Sequence, residues 1–217
     1  MLNTVSNATI ILISIFCCFY FDNENLFNLK INGVSLFHAI IVGVGTTLLC
    51  ISNPSVFFYD PNNIFEYNDH FIYNVFPLIS LGYSFYDLFI GIRSNQLEYI
   101  LHGAFMLLIT TSFYYIDALC LLNIPLLGEM STIFLNLRPI GNDIIDLLFV
   151  ITFTSYRIIC QPILLFIYVY NSPCINIIGS TCESEILISV FYLLFGGLNT
   201  YWFYYICKKV MRRINRA

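Results

Sequence analysis

Charge is what this 217-residue chain has least of. Asp, Glu, Lys and Arg together make up 10% of it, against 59% hydrophobic residues. A soluble domain carries roughly 25% charged residues, so too little charge is present to clothe a water-facing surface. Mean hydropathy is +0.79. A multi-span membrane protein is the class that fits. Other absences narrow the chemistry. No paired C-x-x-C and no H-x-x-x-H occurs, so no set of zinc-ligand spacing exists, and no metal or cofactor is expected. Gly-rich phosphate loops, a nucleophile elbow, H-E-x-x-H and a dinucleotide-binding fingerprint are missing. Nothing points to nucleic acid as a partner. No charged ladder or repeated filter sequence points to a channel. No soluble domain, linker, repeat or low-complexity tract interrupts the sequence.

The eight cysteines form no framework. Cys17, Cys18, Cys50, Cys120, Cys160 and Cys207 lie in or beside apolar runs, where Cys acts as a small hydrophobe. Cys174 and Cys182 share one loop and are either bonded or two free thiols.

What the sequence does contain is apolar helix. Six spans are expected, over residues 4–21, 33–51, 71–92, 99–122, 144–170 and 185–208, each close to the ~20 apolar residues that cross a bilayer. The first lacks a basic leading region and reads as a span rather than a cleaved leader. The expected organisation is a first span and loop over residues 1–32, one domain over 33–209, and a basic tail over 210–217. Lys208, Lys209, Arg212, Arg213 and Arg216 hold five of the nine basic residues, so the positive-inside rule places the C-terminus in the cytoplasm. Six spans then put the N-terminus there too. The loops 54–70 and 123–142 become cytoplasmic, and those at 22–32, 93–98 and 171–184 lumenal or exterior.

Five of the apolar segments each carry one polar stripe. Ser35, His38 and Gly45 form the first; Ser80, Ser84, Asp87 and Gly91 the second; His102, Met106, Thr110 and Asp117 the third. Asp143, Asp146, Thr154, Arg157 and Gln161 form the fourth, and Tyr192, Gly196, Asn199 and Trp202 the fifth. The spacings are sums of three and four, so each set lies along one helix face. Polar groups are costly in hydrocarbon, so the stripes should face a shared interior. The fold expected is all-α: a polytopic membrane protein of about six helices around a central cavity. In antiparallel spans His38, Asp87 and His102 fall at one depth, near the non-cytoplasmic side, with Arg157 close to the same layer.

Each of these groups has two readings. His38 and His102 are a general base, nucleophile or proton shuttle, or interior histidines that hydrogen-bond between helices. Asp87 and Arg157 bind a charged head group or the phosphates of an acyl donor, or they pair with each other. Glu129, Ser131, Thr132, Asn136 and Arg138 form a polar segment before the fifth span, read as a loop or interfacial helix.

Several segments in order resemble the TLC-domain proteins. Val34-Ser35-Leu36-Phe37-His38-Ala39 is similar to the opening span of that domain. Leu81-Gly82-Tyr83-Ser84-Phe85-Tyr86-Asp87 is similar to its Gly-Tyr-x-x-x-Asp span. Tyr99-Ile100-Leu101-His102-Gly103 sits where the family often carries two adjacent histidines. The segment Glu129-Met130-Ser131-Thr132-Ile133-Phe134-Leu135-Asn136-Leu137-Arg138 resembles that of its non-synthase branch. Thr154-Ser155-Tyr156-Arg157 and Asn199-Thr200-Tyr201-Trp202 resemble two later blocks. Gly103 replaces the second histidine, and the acidic segment of ceramide synthases is missing, which favours the non-synthase branch.

The resemblance implies a role in membrane lipid homeostasis, with an acyl chain or phospholipid bound in a central cavity. Arg157, Asn199, Trp202, Glu129, Asn136 and Arg138 are the expected lipid- or head-group-binding residues. The alternative is an acyl-CoA-dependent acyltransferase acting on a sphingoid base or lysolipid, with His102, His38 and Asp87 as catalytic residues. The expected partners are therefore membrane lipid and, in the alternative, acyl-CoA as substrate. The resemblance places the protein in the endoplasmic reticulum or another endomembrane, with the plasma membrane as the alternative. The sequence leaves the oligomeric state open.

Overall fold

The computed structural model describes residues 2–21, 32–54, 71–116, 118–171 and 183–214, which are helical with no strand among them. The long helices are α1 (Leu2–Phe21), α2 (Gly33–Ser52), α3 (Phe71–Ser94) and α4 (Leu97–Tyr115). Two short helices follow, α5 (Leu119–Leu126) and α6 (Glu129–Ile140), bent by 42° at their junction. Next, α7 runs from Asp143–Phe153 through a π turn, Thr154–Cys160, into Gln161–Asn171. Last is α8 (Glu183–Ile214). Among the described residues α2, α3 and Asp143–Leu164 are each long and apolar enough to cross a membrane, and the bent pair makes a fourth. The protein is an all-α polytopic membrane protein. Asp117, Cys174, Cys182 and the loops 55–70 and 172–182 lie outside the described residues.

Local chemistry sets the helix ends. Asn32 caps α2 by accepting from the Ser35 N–H at 3.0 Å, and Asn142 caps α7 by accepting from the Ile144 N–H at 2.8 Å. Within the helices hydroxyls bond back to the preceding turn, Ser84 to Ser80 O at 2.7 Å and Thr46 to Val42 O at 2.6 Å. This satisfies the donor without water.

Side-chain register fixes the directions. His38 meets Ser80 and Tyr83, and Leu49 packs with Tyr73, so α2 and α3 are antiparallel. Ser14 reaches Ile79 O and Phe19 packs on Tyr86 and Phe89, so α1 runs parallel to α3. Asp87 pairs with His102, and α4 returns beside α3.

The segment 123–142 requires a correction. Read from the sequence as a cytoplasmic loop, it is helix packed into the bundle, buried over residues 123–128 and at Ser131 and exposed over 139–142. Asn123 donates to Tyr73 O at 2.7 Å, at the Leu49 end of α2, and Asn136 donates to Ser35 Oγ at 3.0 Å, at the opposite end. From Ser35 to Leu49 is fourteen residues, roughly 21 Å at about 1.5 Å per residue. The bent pair therefore traverses the bundle antiparallel to α2. The fourth span correspondingly ends at Tyr115 rather than at residue 122.

The extra traverse has a cause in backbone chemistry. At the break the Pro125 and Gly128 carbonyls keep only turn bonds along the backbone, from the Gly128 and Ser131 N–H groups, and take side-chain donors from α7 as well. Gln161 donates to Pro125 O at 3.0 Å, and Arg157 Nε donates to Gly128 O at 3.2 Å. Broken helix is tolerated in a membrane where protein groups satisfy it in this way.

The traverse also changes sidedness. Helix α7 pairs Asp146 with Arg138 and Gln161 with Pro125, so it returns antiparallel to the bent pair. Tyr192 donates to Leu121 O and Phe203 stacks on Phe153, so α8 is antiparallel to α7. Lys208 and Lys209 thus end on the same side as Ser35, Asp87 and Arg138. The sequence reading placed the His–Asp layer on the side opposite the tail, and the first helix on the tail's side. An odd number of traverses reverses both.

Candidate functional site

Five helices (α2, α3, α4, α7 and α8) and the bent pair line a chamber of about 530 Å³. Its wall includes Ser35, Asp87, His102, Glu129, Asn136, Arg138, Arg157 and Trp202. Deeper in, a pocket of about 90 Å³ shares His102, Glu129, Arg157 and Trp202 with the chamber; its remaining wall is mainly apolar, with Met106, Leu122, Phe191, Phe195 and Leu198. These four shared residues form a polar collar between a wide space and a narrow one.

Two pairs hold the collar's charges. His102 Nδ1 donates to Asp87 Oδ2 at 2.8 Å. Asp87 is 3% exposed and His102 is 49% exposed, toward the cavity. A carboxylate only accepts, so the pair puts a proton on Nδ1 and leaves Nε2 as the nitrogen available to an occupant. Arg157 Nη2 lies 3.8 Å from Glu129 Oε1. The pairing of Asp87 with Arg157, one of the two sequence readings, does not occur.

Arg157 is committed to the scaffold through most of its fork. Nε donates to Ser131 Oγ at 2.9 Å, Nη2 to Thr132 Oγ1 at 3.0 Å and Nη1 to Asn199 Oδ1 at 3.3 Å. Asn199 is buried and donates to Gln161 Oε1 at 2.7 Å. Arg157 rides on the π turn of α7, which widens the helix by one residue locally. Such turns recur at functional sites.

His38 stands apart from the chamber. It is buried, stacked on Tyr83 with ring centroids 3.9 Å apart, and bonded to Ser80 Oγ at 3.2 Å. Its Nδ1 is 3.9 Å from Glu129 Oε2. His38 and His102 therefore do not share a cavity wall; Glu129 and Tyr83 lie between them. Tyr83 lines the chamber beside Asp87, a place that its position in the Gly82–Asp87 motif did not disclose. Arg138 and Asn136 sit at the wide end, Arg138 bonded to Asp146 at 2.6 Å.

Gly103 explains the missing second imidazole. A Cβ there would lie 2.6 Å from Leu88 N and 2.8 Å from Ser84 O. The position faces α3 at a backbone contact, so no side chain at 103 reaches the chamber in this packing.

A family model described as TLC domain, TRAM_LAG1_CLN8, matches residues 28–208. The chain belongs to the TLC-domain family. No curated protein and no solved structure matches it. The match takes in α2 through α7 and α8 as far as Lys208, so the π turns at Ile40–Val44 and Thr154–Cys160, the bent pair and nearly all of the chamber wall are parts of this TLC domain. The first helix packs on α3 from outside the matched region.

Proposed function

We propose that this TLC-domain protein serves membrane lipid homeostasis by holding a lipid in the chamber, with an acyl chain passing the collar. The observation that carries this reading is the sequence of spaces: a wide chamber, a polar waist, then a narrow apolar pocket. A ligand that matches has a polar linkage and an apolar end, as an acylated lipid has. The chamber volume lies in the range of about 300–1,000 Å³ usual for small-molecule sites. Arg157 already has an acidic partner in Glu129 and His102 is bonded to Asp87, so an uncharged ester or amide suits the waist better than a phosphate does. Desolvating a further charge there would cost energy without a free counter-ion. In this reading Glu129, Arg157 and Asn199 shape the waist, Trp202 walls it, and Asn136 and Arg138 border the polar end. The setting is the endoplasmic reticulum or another endomembrane. The basic tail supports a cytoplasmic C-terminus, which puts the wide end of the chamber toward the cytoplasmic leaflet.

The only tryptophan in the chain, Trp202, is on the chamber wall and serves as the reporter. Titration of the purified protein with a lipid brominated near the acyl terminus should quench it saturably, at one lipid per chain. Native mass spectrometry should show the same single adduct. Linear quenching with no retained lipid would overturn the reading.

A second reading rests on the Asp87–His102 pair. An oriented imidazole with Nε2 free is placed to take the proton of an amine or hydroxyl as it attacks an acyl-CoA thioester, with the CoA thiol leaving. Under this reading His102→Ala lowers acyl-CoA consumption by about 10²–10⁴-fold while lipid retention persists. Absence of acyl-CoA turnover by the intact protein would leave the binding function alone.

A further inference from the structure

A side cleft opens off the wide end of the chamber, between α7 and α8, and shares Arg138, Phe149, Ile206 and Lys209 with the chamber wall. This cleft of about 260 Å³ is bounded by Leu147, Phe149, Val150, Ile206 and Val210, with Arg138, Asp146 and Lys209 at one end. At that polar end a further space of about 410 Å³ is lined by Pro139, Gly141 and Asp143 together with the same three charged residues. We propose that the cleft binds an anionic glycerophospholipid, its phosphate between Arg138 and Lys209 and one acyl chain along Leu147, Val150 and Ile206.

The charges fit a phosphate that carries its own substituent. Arg138 is held in plane by its 2.6 Å bond from Nε to Asp146 and by Phe149, whose ring centroid is 5.1 Å from the guanidinium. Its Nη groups and the Lys209 ammonium make no hydrogen bond or ion pair among the described residues. A fixed fork with free Nη donors is suited to phosphate oxygens, and a lysine adds a point charge. Asp143, in the adjoining space, supplies a carboxylate that can accept from a primary head-group ammonium, a donor that choline lacks, and Lys209 is a cation within reach of a serine carboxylate. The walls match the rest of the lipid: Leu147 and Val210 are exposed on the membrane side, where an acyl chain can lie against them. Basic residues near the cytoplasmic surface attract anionic leaflet lipids, and Lys208 and Lys209 begin the basic tail.

The test uses the full chain in detergent with equimolar palmitoyl-oleoyl phosphatidylserine and phosphatidylcholine, read by native mass spectrometry. The serine lipid should be retained over the choline lipid. Lys209→Gln should reduce its retention about five-fold, the size expected for one basic side chain at an anionic head group. Leu147→Trp fills the cleft without touching a charge and should reduce it as well. Excess inorganic phosphate should leave the adduct in place. Equal retention of the two lipids, or no change in both variants, would overturn the proposal. Displacement by inorganic phosphate alone would equally do so, since it means an anion site without a lipid. The chamber lipid should persist in Leu147→Trp, because Leu147 lines the cleft and not the chamber, which separates this site from the one at the collar.

Discussion

Arg157 shows how one side chain in a membrane core serves structure before chemistry. Its fork donates to Gly128 O, Ser131 Oγ, Thr132 Oγ1 and Asn199 Oδ1, and the last of these is a buried acceptor. A lysine keeps the charge but cannot present donors in that fixed plane. Arg157→Lys should therefore strand at least one buried acceptor, at about 1–3 kcal/mol. Thermal unfolding in detergent should show a clear loss, with lipid retention falling alongside it; an unchanged midpoint would assign the arginine to the ligand instead. Asp87 works differently. It holds one imidazole in one orientation, and the consequences belong to the occupant of the chamber rather than to the fold.

At the scale of elements, close helix contacts depend on the absence of side chains. A Cβ at Gly43 would sit 2.8 Å from Met130 N and 2.9 Å from Glu129 C, where the π turn of α2 meets the start of α6. At Gly103 it would meet the backbone of α3 at 2.6 Å. Backbone cannot swing aside as a flexible side chain can. Gly43→Ala and Gly103→Ala should each cost about 1–3 kcal/mol through forced separation of packed helices. Gly196 and Gly197, with nothing within 4 Å of a Cβ, provide the contrast. Alanine there should be neutral, or stabilising by up to about 1 kcal/mol through helix propensity. Melting curves of the four single variants would check this. Equal effects at all four positions would mean that the close approaches at 43 and 103 do not limit packing.

The whole molecule is organised by the bent pair, because one extra traverse decides which ends share a face. The α3–α4 turn at Asn95 and the C-terminal tail should lie on one side of the membrane, and the α2 end at Ser52 on the other. Epitope tags inserted after Asn95 and after Ala217 should become accessible together in selectively permeabilised cells. Accessibility of the two tags from opposite sides would remove the seventh traverse and restore the six-span sidedness. Asn95 suits the insertion, since it occupies an exposed turn with φ of 54°.

Apolar length and the three-and-four spacing of polar residues determined the helical membrane fold and named the interior faces. Ser80, Ser84, Asp87, Gln161 and Asn199 are all buried and hydrogen-bonded, because a polar group without water must find protein. Those rules read each helix alone. They misread residues 123–142 because Pro125, Gly128, Glu129 and Arg138 look like loop chemistry until other helices supply their partners. The apolar run from Ala118 to Leu127 was the one sign of a further traverse. Depth along a helix likewise brought Asp87 beside His102 and left His38 behind Tyr83, a difference in rotation about the helix axis. Which face meets which neighbour is set by helices distant in sequence. The tertiary structure alone decided the two charge pairs, the collar between the two spaces, and the end of the bundle at which they open.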